Sequence, residues 1–517
     1  MPRRGGELVG LVTIAACVVL VPTAADEAKR VNTGSPVHTT LEGNAAWSIE
    51  LGGGVKHGPL DDSRLVNLCR ALGRSILRVG GSSQDEVTYD FGSSPKEGSF
   101  GPADIDKVFT FTNATGWDVV WGLSYMSRPN KTASAAGPVN IAQLGQVLQY
   151  HLEHDRPLGY ELGNEPDPHC PDPSNPKCSV PVAQHVQDDL LLSQLLQYTY
   201  ASAGVERDRI PLVIGPDAAH CCDYLENFSA AAAAAQWEPS VLTWHHYYFN
   251  NLSPVSKFVD PKTLDSLQAY ANLTVAMRDK YTPHSMLWVG ESASAWGGGV
   301  HAVSDRFAAI FTDLDQVAML SRLGYSGVVR QGLFGSAGYS VISTASKEGF
   351  VPNPSYWAYL AYKRFMGVRV LDAGELGGSV RSYAHCHPTT AGAISIMVLN
   401  VSPDPSTVMV LLSSGSSTGL ESSWSEYHLR MPPSAGGNLT TPYIAVNGHV
   451  MQANKDGTVP DFVPRPGSGS GVVTLAPYSA AFLVSDRAQA KACGATVQGG
   501  VQGSSAKQAA VPSLVLL

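Results

Sequence analysis

Leu158-Gly159-Tyr160-Glu161-Leu162-Gly163-Asn164-Glu165-Pro166 is a short apolar run that ends in a glycine turn and an acidic side chain. A run of this length bounded by Gly and Pro reads as a buried strand with a carboxylate at its carboxyl end. The Pro166 ring disfavours a helical Glu165, which helps present the acid at the strand tip. Similar runs recur outward on both sides, at 75–79, 118–123, 212–215, 241–244, 286–289 and 327–329. They are spaced by roughly 30 to 50 residues, and stretches such as 182–203 and 305–323 between them have helical character. Seven strands at this spacing predict an α/β fold, an eight-stranded (β/α)8 TIM barrel over 51–367 with one strand unassigned.

Beyond 368 the texture changes to β-branched runs broken by Gly, Ser and Pro, at 393–401, 407–412, 471–475 and 480–484. This predicts a C-terminal β-sandwich over 368–493, with 26–50 as an N-terminal segment that contributes a strand to it. The end, 494–517, is rich in Gly, Gln, Ser and Ala and is expected to be a flexible tail. Its final nine residues, 509–517, fall short of the ~10 to 20 apolar residues of a lipid-anchor signal.

Composition fits this picture. The chain has 517 residues, 44% of them hydrophobic, which suits a large buried core and excludes a disordered chain. Only 15% are charged, while Gly 51 and Pro 34 point to many turns. A formal charge of −9 makes a nucleic-acid partner a poor fit. Residues 1–25 read as a signal peptide, with Arg3 and Arg4 before an apolar run at 8–21 and small residues at 23–25. That run is too short to span a ~30 Å hydrocarbon core, so no membrane span is expected after signal removal.

Passage through the secretory pathway is expected to end outside the cell, in the matrix or in a lysosome, with membrane association left open. Sequons at Asn113, Asn130, Asn227, Asn251, Asn272, Asn400 and Asn438 are candidate glycosylation sites. Seven cysteines follow the signal, an odd number, so disulfides are expected together with at least one free or externally paired thiol. Cys170 and Cys178 bracket a Pro/Asp-rich loop that a bridge could close. Cys386 and Cys493 bracket the C-terminal region that a second bridge would staple. His220-Cys221-Cys222 lacks a second Cys/His pair at ligand spacing, so it is not read as a metal site.

The chemistry rests on two strand-end acids, Glu165 and the Glu291 of Leu287-Trp288-Val289-Gly290-Glu291. In a (β/α) barrel the carboxyl ends of the strands form one mouth, and 126 residues between them correspond to about three βα units. Paired carboxylates are what glycoside hydrolysis needs, one protonated to release the leaving oxygen and one ionised to attack the anomeric carbon. Arg78, in Leu77-Arg78-Val79-Gly80-Gly81, could stabilise the ionised member. Together these carboxylates supply acid, base and nucleophile, so neither a metal nor an organic cofactor is implied.

Four groups of residues carry a resemblance that spans about 38–493. They are 160–166, Thr243-Trp244-His245-His246-Tyr247-Tyr248, Gly290-Glu291-Ser292 with Trp296-Gly297-Gly298-Gly299, and Arg330-Gln331 with Gly338-Tyr339. In this order they resemble glycoside hydrolase family 79, the heparanase family of retaining endo-β-glucuronidases. The resemblance implies that Glu165 is the acid/base and Glu291 the nucleophile, and that Asn164 binds the hydroxyl beside the reacting carbon. It also implies that the N–H groups of Gly297 and Gly298 and the Tyr339 hydroxyl hold the glucuronate carboxylate. Glu50, Ser82, His245, Tyr247 and Gln331 fall at pocket positions of the family.

Two departures matter. Mammalian members are made as precursors whose long charged linker covers the cleft, whereas 92–101 is only a short loop here, so a single-chain enzyme needing no internal cleavage is expected. The stretches after Glu165 and Gly215 carry Asp167 and Asp217 where the family has basic residues for sulfate. The expected partner is therefore a glucuronic-acid-containing glycan or proteoglycan, heparan sulfate or a related one, met by a monomer. Exo-cleavage of less sulfated glycans or small glucuronides is the first alternative, and a non-catalytic extracellular glycan binder the second.

Overall fold

The structure is a computed structural model and describes residues 27–92, 96, 98–125, 139–167, 181–346, 349–412, 424–467, 471–486 and 488–494. Eight parallel strands close into a barrel: β1 (Ala45–Glu50), β2 (Ile76–Gly80), β3 (Asp118–Leu123), β4 (Gly159–Leu162), β5 (Leu212–Ala218), β6 (Val241–Asn250), β7 (Met286–Trp296) and β8 (Gly327–Gln331). They alternate with helices α1 (Ser63–Ala71), α2 (Pro102–Thr115), α3 (Ile141–His154), α4 (Val182–Ser202), α5 (Asp223–Ala234), α6 (Pro261–Tyr281), α7 (Ala309–Arg322) and α8 (Pro354–Phe365). The unassigned strand is β1. The expectation that 26–50 lies wholly outside the barrel is corrected here, since Ala45–Glu50 pairs with both β2 and β8 and closes the ring.

Alternation along the strands explains why a charged site forms inside an apolar barrel. Ala46, Ile76, Val120, Ile214, Val241, Trp288 and Val329 form an apolar cluster on the inward faces. Two residues further along β2, on the same face, comes Arg78 instead of another aliphatic. On β4 the outward Tyr160 hydroxyl meets His151 of α3 and Tyr200 of α4, at 2.9 and 3.0 Å. Its neighbour Glu161 faces inward to Arg78. Capping fixes several helix starts; the Asp260 carboxylate accepts from the Thr263 N–H at the head of α6, a contact worth about 1 kcal/mol.

The C-terminal region holds two sheets. One contains His38–Thr39, Arg369–Leu371, Val380–Cys386, Ile394–Asn400, Ser479–Ser485 and Ser425–Arg430 among its strands; the other orders Glu27–Val31, Ser406–Leu412 and Val472–Leu475. Val31, Val408, Val410 and Val473 of the smaller sheet share an apolar cluster with Leu371, Ile396, Val398 and Leu483 of the larger one. Two short pieces of 26–50 thus join these sheets while the third joins the barrel. Helix α7 is buried along almost its whole length between the two regions. Its Asp313 binds Arg330 of β8 at 2.8 Å, and its Asp315 binds Arg381 of the large sheet at 2.7 Å.

Cys386 and Cys493 are bonded, closing a loop of separation 107, and Cys69 is a buried free thiol. Cys221 and Cys222 are bonded to each other, a pairing the sequence reading did not anticipate. Asn113, Asn227, Asn251, Asn272 and Asn438 are exposed. Asn400 is a correction: it is fully buried, and its amide donates to the carbonyls of Asp404 and Ala476, so it cannot accept a glycan in the folded chain. The signal 1–25, the tail 495–517, Asn130, Cys170 and Cys178 lie outside the described residues. Among the described residues no helix is long and apolar enough to cross a membrane.

Candidate active site

Arg78 organises the barrel mouth. Its fully buried guanidinium donates to Glu161 at 2.6 Å, to Glu291 Oε2 at 2.8 Å, to Asn164 Oδ1 at 2.9 Å and to Asp217 Oδ2. One cation from β2 therefore gathers three carboxylates, from β4, β5 and β7. Burial opposes its charge, but the Asp217, Glu161 and Glu291 carboxylates outweigh burial and hold its pKa well above the ordinary arginine value.

Glu165 follows β4 with a left-handed φ of 51°. This backbone state costs a residue with a Cβ about 1–2 kcal/mol, and it is fixed here by the Glu165 N–H bond to the Asp217 carbonyl at 3.0 Å. The carboxyl group is one-third exposed, and its Oε1 meets His245 Nδ1 at 2.9 Å. Glu291 lies within β7 rather than after it, at a register shift against β6 that pairs it with His245. Its second oxygen accepts from the Tyr247 hydroxyl at 2.6 Å.

An oxygen of Glu165, a nitrogen of His245 and an oxygen of Glu291 all lie within 4.8 Å of one another. Such a trio could suggest a metal centre, but its donor atoms are already committed. Both imidazole nitrogens of His245 face carboxylates, Nδ1 to Glu165 and Nε2 to Asp217 at 2.8 Å. Burial would depress the imidazole; the Asp217 and Glu291 charges and the hydrogen bonds to Asp217 and Glu165 outweigh it and hold His245 well above its usual range. A doubly protonated imidazole is a donor on both sides and offers no lone pair to a cation.

Burial raises the pKa of Glu291, with the Glu165 charge adding to it, against the pull of His245, Arg78 and Tyr247. The donors on both of its oxygens match the ionised carboxylate, and removal from water leaves that carboxylate poorly solvated. Asp217 goes the other way: Arg78 and His245 outweigh burial and keep it ionised. Glu161 is pushed up to about 7 by burial and the Asp217 charge against the pull of Arg78.

The remaining expected residues are placed as follows. Asn164 is buried beside Arg78, and its own N–H is held by Asp85 at 3.2 Å. Gly297 and Gly298 have φ of 75° and 87°, a region that favours glycine, and Asn251 donates to the Gly297 carbonyl at 3.1 Å. A Cβ on Gly299 would lie 2.8 Å from the Tyr339 nitrogen, so this loop sits directly on Tyr339. The Tyr339 hydroxyl is pushed up to about 12 by burial and by the nearby Glu291 and Glu50 charges. Gln331 donates to Glu50 at 3.1 Å.

Ser82 is exposed; the serine that binds Glu50 is Ser83, at 2.7 Å. Asp167 also differs from expectation. It is buried and accepts from the N–H groups of Ala219 and His220, so it ties two mouth loops together and does not face a substrate. Sequence reasoning assigned no role to Glu161 and read Asp217 only as an acid where the family has basic residues for sulfate; Asp217 is instead fully buried between Arg78 and His245. For Glu161 a signal was available, since an acid at an inward position of a barrel strand needs a buried cation.

Compared with known proteins, residues 57–318 match the family described as Glycosyl hydrolase family 79, N-terminal domain. The chain is 28% identical to the heparanase of Gallus gallus over 405 residues, covering 75% of this chain and 72% of that one. It is 25% identical over 410 residues to the protein named inactive heparanase-2 of Mus musculus, covering 75% and 65%. Among solved structures it resembles a 4-O-α-L-rhamnosyl-β-D-glucuronidase from Fusarium oxysporum, with a TM-score of 0.64 over 88% of this chain and 99% of that one. Sequence identity there is 16%, so that likeness speaks for the fold alone.

Proposed function

Because this chain belongs to glycosyl hydrolase family 79, a family of heparanase-type glycosidases, we propose that it is a secreted retaining β-glucuronidase that uses Glu165 as acid/base and Glu291 as nucleophile. The observation that carries the reading is the close approach of the two carboxyl groups, an oxygen of Glu165 lying within 4.8 Å of an oxygen of Glu291. Retaining enzymes need ~5–5.5 Å between the groups, whereas inverting enzymes leave ~6.5–9.5 Å for a water.

In the first step Glu165 gives its proton to the leaving oxygen while the Glu291 carboxylate bonds to the anomeric carbon. In the second, Glu165 takes a proton from water, which displaces Glu291 with net retention. Arg78 and Tyr247 hold Glu291 in place for the attack. The glucuronate carboxylate is assigned to the Gly297 and Gly298 N–H groups with the Tyr339 hydroxyl, and Asn164 to the neighbouring sugar hydroxyl. The two C-terminal sheets are read as an accessory β-sandwich. Two disulfides fit an oxidising, secretory route.

The substrate is a β-glucuronide within heparan sulfate or a related glycan. A less sulfated or exo-cleaved substrate is the second reading. It is favoured because Arg78, the arginine on an inward position of the described barrel strands, is buried and committed to carboxylates and cannot reach a sulfate, while Arg330 on β8 faces outward to Asp313 of α7. Loop 92–101 is pinned at its base by the bonds between Asp90 and Phe100 and between Phe100 and Thr88, which supports activity without internal cleavage.

Hydrolysis of an aryl β-glucuronide by the uncut chain tests the whole reading. Activity lost in both Glu165→Gln and Glu291→Gln is the expected result. No turnover in the native protein would favour a non-catalytic glycan binder, and unchanged turnover in Glu291→Gln would remove the mechanism.

A further inference from the structure

The mouth contains one carboxylate with no direct role in the two-step mechanism yet with bonds to both halves of it. Asp217 gives one oxygen to Arg78, which holds Glu291, and the other to His245, which holds Glu165. Glu165, His245, Asp217, Arg78 and Glu291 thus form an unbroken chain of hydrogen bonds from acid/base to nucleophile. The backbone reinforces it, since the Asp217 carbonyl receives the Glu165 N–H and the Asp217 N–H is held by Thr243 Oγ1 at 3.0 Å. A Cβ on Gly290 would lie 2.7 Å from Asp217 Oδ1, so the strand beside Glu291 is cleared for this side chain.

We propose that Asp217 is a positioning residue that holds His245 as a two-proton donor, so that the imidazolium sets when Glu165 gives up and regains its proton. The proposal rests on the reading of Glu165 as acid/base. With Asp217 ionised, both ring nitrogens carry protons, and Nδ1–H points a positive charge at Glu165 Oε1. This leaves the other oxygen of Glu165 for the proton that goes to the leaving group, and it stabilises the carboxylate once that proton has gone.

With an amide at 217, Nε2–H still has an acceptor but the ring loses its counter-charge and becomes neutral. Its Nδ1 then presents a lone pair that accepts the Glu165 proton and holds it away from the leaving group. Besides Asp217 and Glu165, the charged groups that act on His245 are Glu291 on β7 and Glu161 on β4, while Arg78 on β2 shares Asp217 with it. Asp217→Asn leaves all of these side chains in place.

Two readouts test this, and only one needs turnover. In the full chain labelled with 15N-histidine, the His245 ring signals, identified by their loss in His245→Gln, are expected to stay doubly protonated above the pH at which exposed histidines titrate. In Asp217→Asn they are expected to become those of a neutral ring. A native His245 that is neutral at pH 7, or a ring unchanged by Asp217→Asn, would overturn the proposal.

In the pH profile of kcat/KM on an aryl β-glucuronide, removing the positive charge beside Glu165 is expected to move the alkaline limb upward by about one unit. Rates should fall more for poor leaving groups than for good ones. His245→Gln should give the same shift, and the double variant no further shift. A uniform rate loss with an unmoved limb would mean a merely structural Asp217. Native protein that shows the ring signals but hydrolyses no glucuronide would sink the proposed function and leave the His245–Asp217 pairing standing.

Discussion

Two of the buried charge networks among the described residues are balanced differently. At the seam, along α7, Arg330 is matched with Asp313 and Arg381 with Asp315, with the half-exposed Asp265 as a further partner for Arg381. At the barrel mouth a single arginine and one imidazolium face Glu161, Asp217, Glu291 and Glu165. Matched charges fix the orientation of two packed units. An excess of carboxylates cannot all ionise together, so protons must be shared, and shared protons are what acid/base chemistry needs. The difference separates ions that hold the fold from ions proposed to react.

The sharpest way to break this comparison is Glu291→Gln. It should lower turnover on an aryl β-glucuronide by on the order of 10^4-fold or more. Removing one of several crowded negative charges should leave the melting temperature unchanged or raised. A melting temperature that falls with activity would mean that the mouth is held together like the seam.

Arg381→Met is the converse. It strands Asp315 in the interior and should cost about 3 kcal/mol of stability, seen as a lower melting temperature. KM for a small glucuronide should not move, because the seam touches no substrate. Tyr247→Phe comes next: it removes the donor to Glu291 and should reduce kcat by about tenfold to a hundredfold.

The smallest effect is on the pH dependence of stability, and its sign differs between regions. Glu161 is raised to about 7 from 4.5, so the folded chain holds an extra proton between these values. Its contribution is complete below about pH 4.5 and is lost as pH rises through about 7. Glu426 in the large C-terminal sheet is lowered to about 2, because hydrogen bonds from His428, Arg465 and Trp424 outweigh burial. Its contribution is present above about pH 4.5 and is lost as pH falls through about 2. Melting curves against pH for Glu161→Gln and Glu426→Gln should flatten opposite ends of the profile. The same slope change in both would show that the two regions do not differ as described.

Much of the barrel was legible because its strands are apolar runs at βα spacing, and 118–123 coincides with Asp118–Leu123. Ala45–Glu50 was assigned to the wrong unit for a physical reason. The chain leaves the C-terminal sheet at Thr39 and enters the barrel at Ala45, so no linker marks the change. Glu165, Glu291 and Arg78 were legible because charged side chains at strand ends are costly unless used. The role of Asp217 was not, since it depends on partners 28 and 139 residues away that only the closed barrel brings together. Ser83 in place of Ser82 is a one-residue matter of how the turn after β2 winds into a short helix, below what a sequence pattern resolves.

The most direct test of the two-carboxylate site is the configuration of the sugar as it first leaves the enzyme. Proton NMR during hydrolysis of an aryl β-glucuronide should show the β-anomer of glucuronic acid forming first, with the α-anomer appearing only as the free sugar equilibrates. An α-anomer as the first product would contradict attack by Glu291 and the carboxyl separation on which the retaining mechanism rests.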